Sequence, residues 1–278
     1  MRSAAPLRFT TWLTPGLPLA MFETIAAHVA SGLGRDHDVS VESKMSGPVA
    51  AADDRFAMGL TDIGFICPPA YLWLTERTPP SVALVPLAPI YDDARNAGQP
   101  TYVSDVIVRA DAPARRFADL RGLRIGYNER ASLSGFVSLL AKLSDEGLDV
   151  DFCGELRQVG SHRRALELIE SGDIDAAAVD ANVLRSWASE RPDRGAAVRS
   201  IDVLGPYPVQ PVVVRSELGE LVPEVADLLA RPELATALAP FGVRGFGPVH
   251  HDDYARLAPL VDRAMEAVPA SSPPRAVG

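Results

Sequence analysis

Apolar positions along this chain fall into short runs broken by turn residues, and the runs alternate between strand-like and helix-like spacing. Leu7 to Trp12 reads as a first strand, Thr14-Pro15-Gly16 as a turn, and Leu19 to Leu33 as a helix that Gly34 ends. Alternation around Val39 and Val41 predicts a second strand, Val49 to Leu60 a helix, and Ile63 to Cys67 a buried strand that Pro68 and Pro69 break. A short helix from Tyr71 to Leu74 and a core strand from Val82 to Pro89 follow. Tyr91 to Pro100 is polar and reads as a loop, and Tyr102 to Val108 as an extended segment leading into a second lobe.

That second lobe holds strands over Leu123 to Tyr127, Leu156 to Val159, Ala176 to Val179 and Ile201 to Leu204. Helices are predicted over Arg163 to Glu170 and Val183 to Trp187, and a loop at Arg191 to Arg194. Gly205-Pro206-Tyr207-Pro208 reads as the crossing back, followed by a strand at Val212 to Val214 and helices at Glu220 to Ala230, Pro232 to Ala239 and Asp252 to Ala267. The Pro- and Ser-rich tail from about 269 to 278 has the composition of a disordered end. Strands alternating with helices argue for an α/β fold with mostly parallel sheets. Residues 1–104 and 208–278 form one lobe and residues 105–207 the other, with a cleft between them and a hinge at the two crossings.

The chemistry concentrates between Leu123 and Phe136, LRIGYNERASLSGF. A buried strand ends at Tyr127, Asn128, Glu129 and Arg130 make a turn, and Ser132-Leu133-Ser134-Gly135 opens a segment with helical spacing at Phe136, Val137, Leu139, Leu140 and Leu143. Unpaired N–H groups and the positive end of the macrodipole make a helix start a place for an anion. The alternative is that Ser132 or Ser134 is only an N-cap.

Around this stretch stand Phe117 to Gly122 (FADLRG), Gly160-Ser161-His162, and Ile174 to Asp180 (IDAAAVD). In that order the segments resemble the phosphonate/phosphate-type substrate-binding proteins of ABC transporters, which have the type 2 periplasmic-binding-protein fold. The resemblance is strongest over Tyr102 to Arg215. It implies that Ser132, Ser134 and the N–H groups of Leu133, Ser134 and Gly135 hold a ligand oxyanion, that His162 donates to it, and that Tyr102 is a hinge tyrosine in contact with ligand. It also implies ABC-transporter membrane subunits as partners and closure of the lobes on the ligand. Where the family's triplet carries a threonine this chain has Leu133, which removes a hydroxyl and favours a ligand with an apolar part over bare phosphate. Asn182 and Gln210 align with positions where amine-binding relatives carry carboxylates. A buried ammonium without a partner is costly, so the two amides argue against aminoalkylphosphonates.

Other readings of these residues stay open on the sequence. Ser161 can cap a helix and leave His162 on the surface. Asp180 ends an apolar strand at the carboxyl edge where open α/β sheets bind ligands, and it serves equally as a cap for the next helix. Trp12, Cys67 and Tyr71 border strand ends and are candidates for ligand contact, although aromatic residues there are more often core. His250, His251, Asp252 and Asp253 lack the spacing of a structural zinc site and read as a helix cap with acids in the first turn. No metal or cofactor is expected.

Length, 278 residues, allows two lobes with substantial cores, and 47% hydrophobic with 23% charged residues is an ordinary globular balance. The net charge of -9 comes with scattered Lys and Arg, which excludes a nucleic-acid surface. Cys67 and Cys153 fall in different lobes and are expected as free thiols. No run approaches the length of a membrane span. The N-terminal stretch is broken by Arg8, Pro15, Gly16 and Glu23, with no cleavage site and no cysteine for a lipid. As written it reads as cytoplasmic, whereas relatives are exported. The resulting expectation is a monomeric, non-catalytic binding protein for a small anionic ligand. The rivals are a cytoplasmic enzyme of the menaquinone- or thiamine-pyrimidine-biosynthesis type on the same fold, and a ligand sensor. No nucleophile elbow, P-loop or dinucleotide fingerprint is present.

Overall fold

The computed structural model describes residues 5–43, 46–48, 50–190 and 192–268. In chain order its strands are β1 (Leu7–Thr11), β2 (His37–Val41), β3 (Ile63–Phe65), β4 (Val82–Leu84), β5 (Leu87–Tyr91), β6 (Thr101–Arg109), β7 (Arg124–Tyr127), β8 (Glu155–Gln158), β9 (Ala176–Asp180), β10 (Val198–Pro208), β11 (Val212–Arg215) and β12 (Val243–Pro248). Its α-helices are α1 (Leu19–Gly32), α2 (Pro68–Thr75), α3 (Ser138–Asp145), α4 (His162–Ser171), α5 (Ala181–Glu190), α6 (Pro192–Gly195), α7 (Val222–Leu229), α8 (Pro232–Leu238), α9 (His251–Ala255) and α10 (Ala258–Ala267).

The chain divides into two compact α/β units. The first runs from the N-terminus to Thr101 and resumes over Pro208–Arg256. Its sheet has the order β2-β1-β3-β11-β4. β1 is parallel to β2 and β3, and β11 is antiparallel to β3 and β4. Phe22 of α1 packs on Phe65 of β3 with ring centroids 4.9 Å apart. The second unit is Tyr102–Tyr207 with the residues from Leu257 onward. Its sheet has the order β10-β6-β9-β7-β8, with β7 parallel to both β8 and β9 and β6 antiparallel to β9. All five residues of β9 are buried. Ile107, Leu166, Ile169, Ile174, Val179 and Trp187 make a core on this sheet, each worth about 1.5–3 kcal/mol of burial. Both sheets are mixed.

Several expectations differ from the structure, each for a local reason. Residues 50–60 of the predicted Val49–Leu60 helix hold only a 3-10 turn, Ala51–Asp53, and Val49 lies outside the described residues. Asp54 stops it. Its fully buried carboxylate accepts from the N–H groups of Phe56 (3.0 Å) and Ala57 (3.1 Å), from Ser81 Oγ (2.6 Å) and from Arg77. Pro68 and Pro69 start α2 rather than break a strand, because proline loses nothing where the N–H has no partner anyway. The predicted strand over Val82 to Pro89 is two strands, β4 in the main sheet and β5 paired with β12. The sequence of β12, VRGFGP, hides it behind two glycines and a proline, and the pairing shifts register between Val243 and Gly245. Residues 192–195, expected as part of a loop, form a single helical turn, α6.

The predicted helix over Asp252 to Ala267 divides into α9 and α10, and α10 belongs to the second unit instead of returning to the first. Val261 and Ala264 are buried, and Leu260 and Ala264 share an apolar groove with Leu140, Ala141 and Leu143 of α3. Arg130 donates to the carbonyls of Met265 (3.2 Å) and Val268 at the far end. These contacts, rather than adjacency in sequence, set the helix's place. The expected disordered tail lies outside the described residues. Cys67 and Cys153 are buried, one in each unit, with no disulfide between them, and burial pushes the Cys153 thiol up to about 12.

Asp54 is a buried charge on which the loop before β3 depends. Asp54→Ala leaves Arg77 and three other donors facing a void, and breaking a buried pair this way costs about 3–5 kcal/mol. Urea denaturation followed by circular dichroism should show that loss as a lowered midpoint, and an unchanged midpoint contradicts this role.

Candidate functional site

Three parallel strands of the second unit, β8, β7 and β9, end at one edge of the sheet. Each hands over to a helical start there, and such carboxyl edges are where α/β sheets receive ligands. After β7 the chain turns through Asn128–Ala131 and enters a π-helical turn, Leu133–Val137, before α3. π-Turns occur often at functional sites. Ser132 is its N-cap, with Oγ accepting from Gly135 N at 3.1 Å and its carbonyl accepting from Phe136 N and Val137 N. After β8, Gly160 N donates to the Asn128 carbonyl at 2.7 Å, and Ser161 caps α4 by accepting from Arg164 N at 3.1 Å. These two loops are therefore bonded to each other.

Ser161 is the cap the sequence offers, yet His162 is not on the surface. It is 8% exposed, with Nε2 2.9 Å from Ser134 Oγ and 3.4 Å from Asn128 Nδ2. Burial lowers its pKa to about 4, the nearby backbone of Ala178 on β9 pulling weakly the other way. The ring is neutral at pH 7. Gly135 is the only residue that fits its place, because a Cβ would lie 1.9 Å from Asn128 Oδ1 and 3.0 Å from His162 Cε1. The Ser134 carbonyl accepts from Ser104 Oγ (2.7 Å) and Ser138 Oγ (2.5 Å). Leu133 is fully buried. Phe136 packs on Tyr127 at 4.7 Å, and Arg130 lies over its ring at 5.4 Å. Through Arg130 the turn is tied to α10.

At the end of β9, Asp180 is 2% exposed and its Oδ1 accepts from Asn182 N at 2.8 Å, as a helix cap. Asn182, in the first turn of α5, is 3% exposed. Its Oδ1 accepts from Arg185 Nη2 at 2.5 Å.

The first-unit candidates sit in core surroundings. Trp12 stacks on Phe56 at 5.5 Å over Gly64. Cys67 precedes α2 and is 3% exposed. The Tyr71 hydroxyl and His251 Nδ1 are hydrogen-bonded at 2.9 Å, the ring packs edge-on to Tyr254, and burial pushes the phenol up to about 12. Gln210 borders a small apolar cavity of about 20 Å³ beside Leu13, Phe22 and Phe65. Tyr102, fully buried on β6, belongs to the second unit. His250 caps α9, with its N–H donating to Asp253 Oδ2 at 2.8 Å. Among the described residues no cluster of His, Cys, Asp and Glu is arranged to hold a metal ion, and no helix is long and apolar enough to cross a membrane.

The model of the phosphonate ABC-transporter periplasmic substrate-binding protein family matches residues 13–254. The chain belongs to that family. Three solved structures share the fold of this phosphonate-family protein. A binding-protein component of an ABC phosphonate transporter from Pseudomonas aeruginosa superposes with a TM-score of 0.76 at 16% identity, covering 97% of this chain and 91% of that one. PhnD1 from Prochlorococcus marinus, in complex with methylphosphonate, gives 0.75 at 15% identity, with 94% and 98% covered. XAC2383 from Xanthomonas citri, bound to ATP, gives 0.68 at 17% identity, with 95% and 98% covered. The phosphonate family is one of substrate-binding proteins, so the enzyme reading of the fold drops away. It is also a periplasmic family, and the cytoplasmic reading of the N-terminal residues finds no support in it.

Sequence reading of this family member singled out Ser132, Leu133, Ser134, Gly135 and His162; in the structure Gly135 N bonds to Ser132 and Ser134 to His162. It missed Ser104, Asn128 and Ser138, the residues that hold the cluster in place. Asn128 stands directly after an apolar strand, a position that signals more than a turn. Ser104 gives no local sign, because only the sheet register, Ser104 opposite Asp180, sets it at this edge.

His162 also predicts how stability varies with pH. Its folded pKa, about 4, lies below the ordinary 6.5 of the unfolded chain. Between those values the unfolded state binds the proton and the folded state does not, so this contribution is intact above pH 6.5 and lost as pH falls through 4. At about 1.4 kcal/mol per unit the loss comes to about 3 kcal/mol. Urea midpoints across that range should fall more steeply for the native protein than for His162→Gln, and parallel curves contradict the assignment.

Proposed function

We propose that this protein binds a small phosphonate-type oxyanion at the carboxyl edge of β7, β8 and β9 and delivers it to the membrane subunits of an ABC transporter. The observation that carries this reading is the bond between Ser134 Oγ and His162 Nε2 at the start of the π-turn. It sets a hydroxyl and a buried, neutral imidazole at the head of a helix. Backbone N–H groups and the helix dipole there attract negative charge without a formal cation. With the His162 ring neutral, the anion is held by donors and dipoles, which suits an oxyanion that must later be released. Membership of the phosphonate family supports the ligand class. The methylphosphonate held by PhnD1, a ligand without an amine, supports a preference for amine-free phosphonates. Asn182, a neutral amide in the first turn of α5, points the same way.

Removing both hydroxyls tests the site. Ser132→Ala with Ser134→Ala should weaken methylphosphonate binding by about 1–3 kcal/mol, from the lost hydrogen bonds. Isothermal calorimetry reads this directly, and an unchanged affinity returns both serines to plain capping.

A further inference from the structure

The first turn of α5 holds a group that the oxyanion reading does not use. Arg185 Nη2 lies 2.5 Å from one amide atom of Asn182. A guanidinium only donates, so that atom is the oxygen and the opposite atom is the NH₂. Asn182 is 3% exposed, and its Nδ2 has no hydrogen-bond partner among the described residues. A buried donor left without an acceptor is uncommon in native structures. The place is polar on purpose: α5 begins there with its own N–H groups, and Asp180 Oδ1 is already turned into the cap, bonded to Asn182 N.

We infer that the ligand carries a carboxylate beyond its phosphonate group, received by Asn182 Nδ2 and the positive charge of Arg185, so that the substrate class is a phosphonocarboxylate. This rests on the oxyanion reading and extends it to the other end of the ligand. β7 and β9 are hydrogen-bonded neighbours, about 4.8 Å apart, and Ser104, which stands opposite Asp180 in the sheet, bonds to the Ser134 carbonyl at 2.7 Å. A short alkyl spacer therefore spans from the π-turn to the start of α5. An ammonium on the same spacer would meet a donor and a guanidinium, both repulsive to it, and only the Asp180 carboxylate, already bonded to Asn182 N, to attract it. A plain alkyl group would leave Nδ2 buried and unpaired. A carboxylate accepts from the first and is attracted by the second.

The test is calorimetry of the native protein with three matched probes: propylphosphonate, phosphonopropionate and aminopropylphosphonate. Phosphonopropionate should bind about tenfold tighter than propylphosphonate, with the amino compound weakest. In Asn182→Leu and in Arg185→Gln the preference for the carboxylate should fall below about threefold. Equal affinity for the carboxylate and alkyl probes in the native protein, or tighter binding of the amino probe, overturns this inference and leaves the oxyanion site standing. A native preference that survives both substitutions overturns the assignment to these residues. Binding of none of the three overturns the oxyanion reading and this inference together. Because the native protein alone decides the main question, a variant that fails to fold does not remove the test.

Discussion

A single buried imidazole ties the second unit's working edge together. His162 opens α4, bonds to Ser134 in the π-turn and approaches Asn128 behind β7. Two strand ends and two helix starts thus converge on one ring. The ring can play this part because burial keeps it uncharged. A protonated His162 would carry a charge into a buried site with no carboxylate bonded to it among the described residues, which is why desolvation dominates its shift. The neighbouring demands follow from that geometry. Gly135 must lack a side chain so that Asn128 and the ring can close against the turn. Ser104 and Ser138 must be small and hydroxylated to satisfy the carbonyl of Ser134.

Support for this edge arrives from far along the chain. Arg130 stacks on Phe136 in the π-turn and holds the carbonyls at the end of α10. α10 lies on α3, the helix that the π-turn begins. The last described helix is in this way a brace for the first residues of the candidate site. The first unit has comparable anchors of its own. Asp54 organises the loop before β3 through four donors, and Asp62 pairs with Arg8 at 2.8 Å and Arg215 at 3.1 Å, which joins β1, β3 and β11. Arg8 also bonds through its backbone N–H, so the first strand is fixed at both main chain and side chain.

Much of this was legible in the sequence where the signal is local. Apolar runs at strand spacing gave β1, β3, β7 and β9 close to their observed limits, since burial on both faces demands continuous apolar residues. Serine and glycine at the head of a helical pattern marked the π-turn, and Gly160-Ser161-His162 marked the start of α4. What stayed hidden depends on partners distant in sequence. The segment before β3 has helical spacing, and only Ser81 and Arg77 reveal why Asp54 turns it into a loop. β12 is a strand because β5 pairs with it, not because VRGFGP favours one. Tyr71 looked available for ligand until His251, on α9, took its hydroxyl. The split of the C-terminal helices follows from the packing of Val261 and Ala264, whose helical periodicity continues without a break in the sequence.

The central claim is that an oxyanion is held at the π-turn and His162. Nuclear magnetic resonance of the ¹⁵N-labelled protein at neutral pH, titrated with methylphosphonate, addresses it most directly. The account predicts saturable shifts of the His162 ring nitrogens and of the backbone amides of Leu133, Ser134 and Gly135, all with one affinity that matches calorimetry. Binding detected by calorimetry while those resonances stay in place would contradict it.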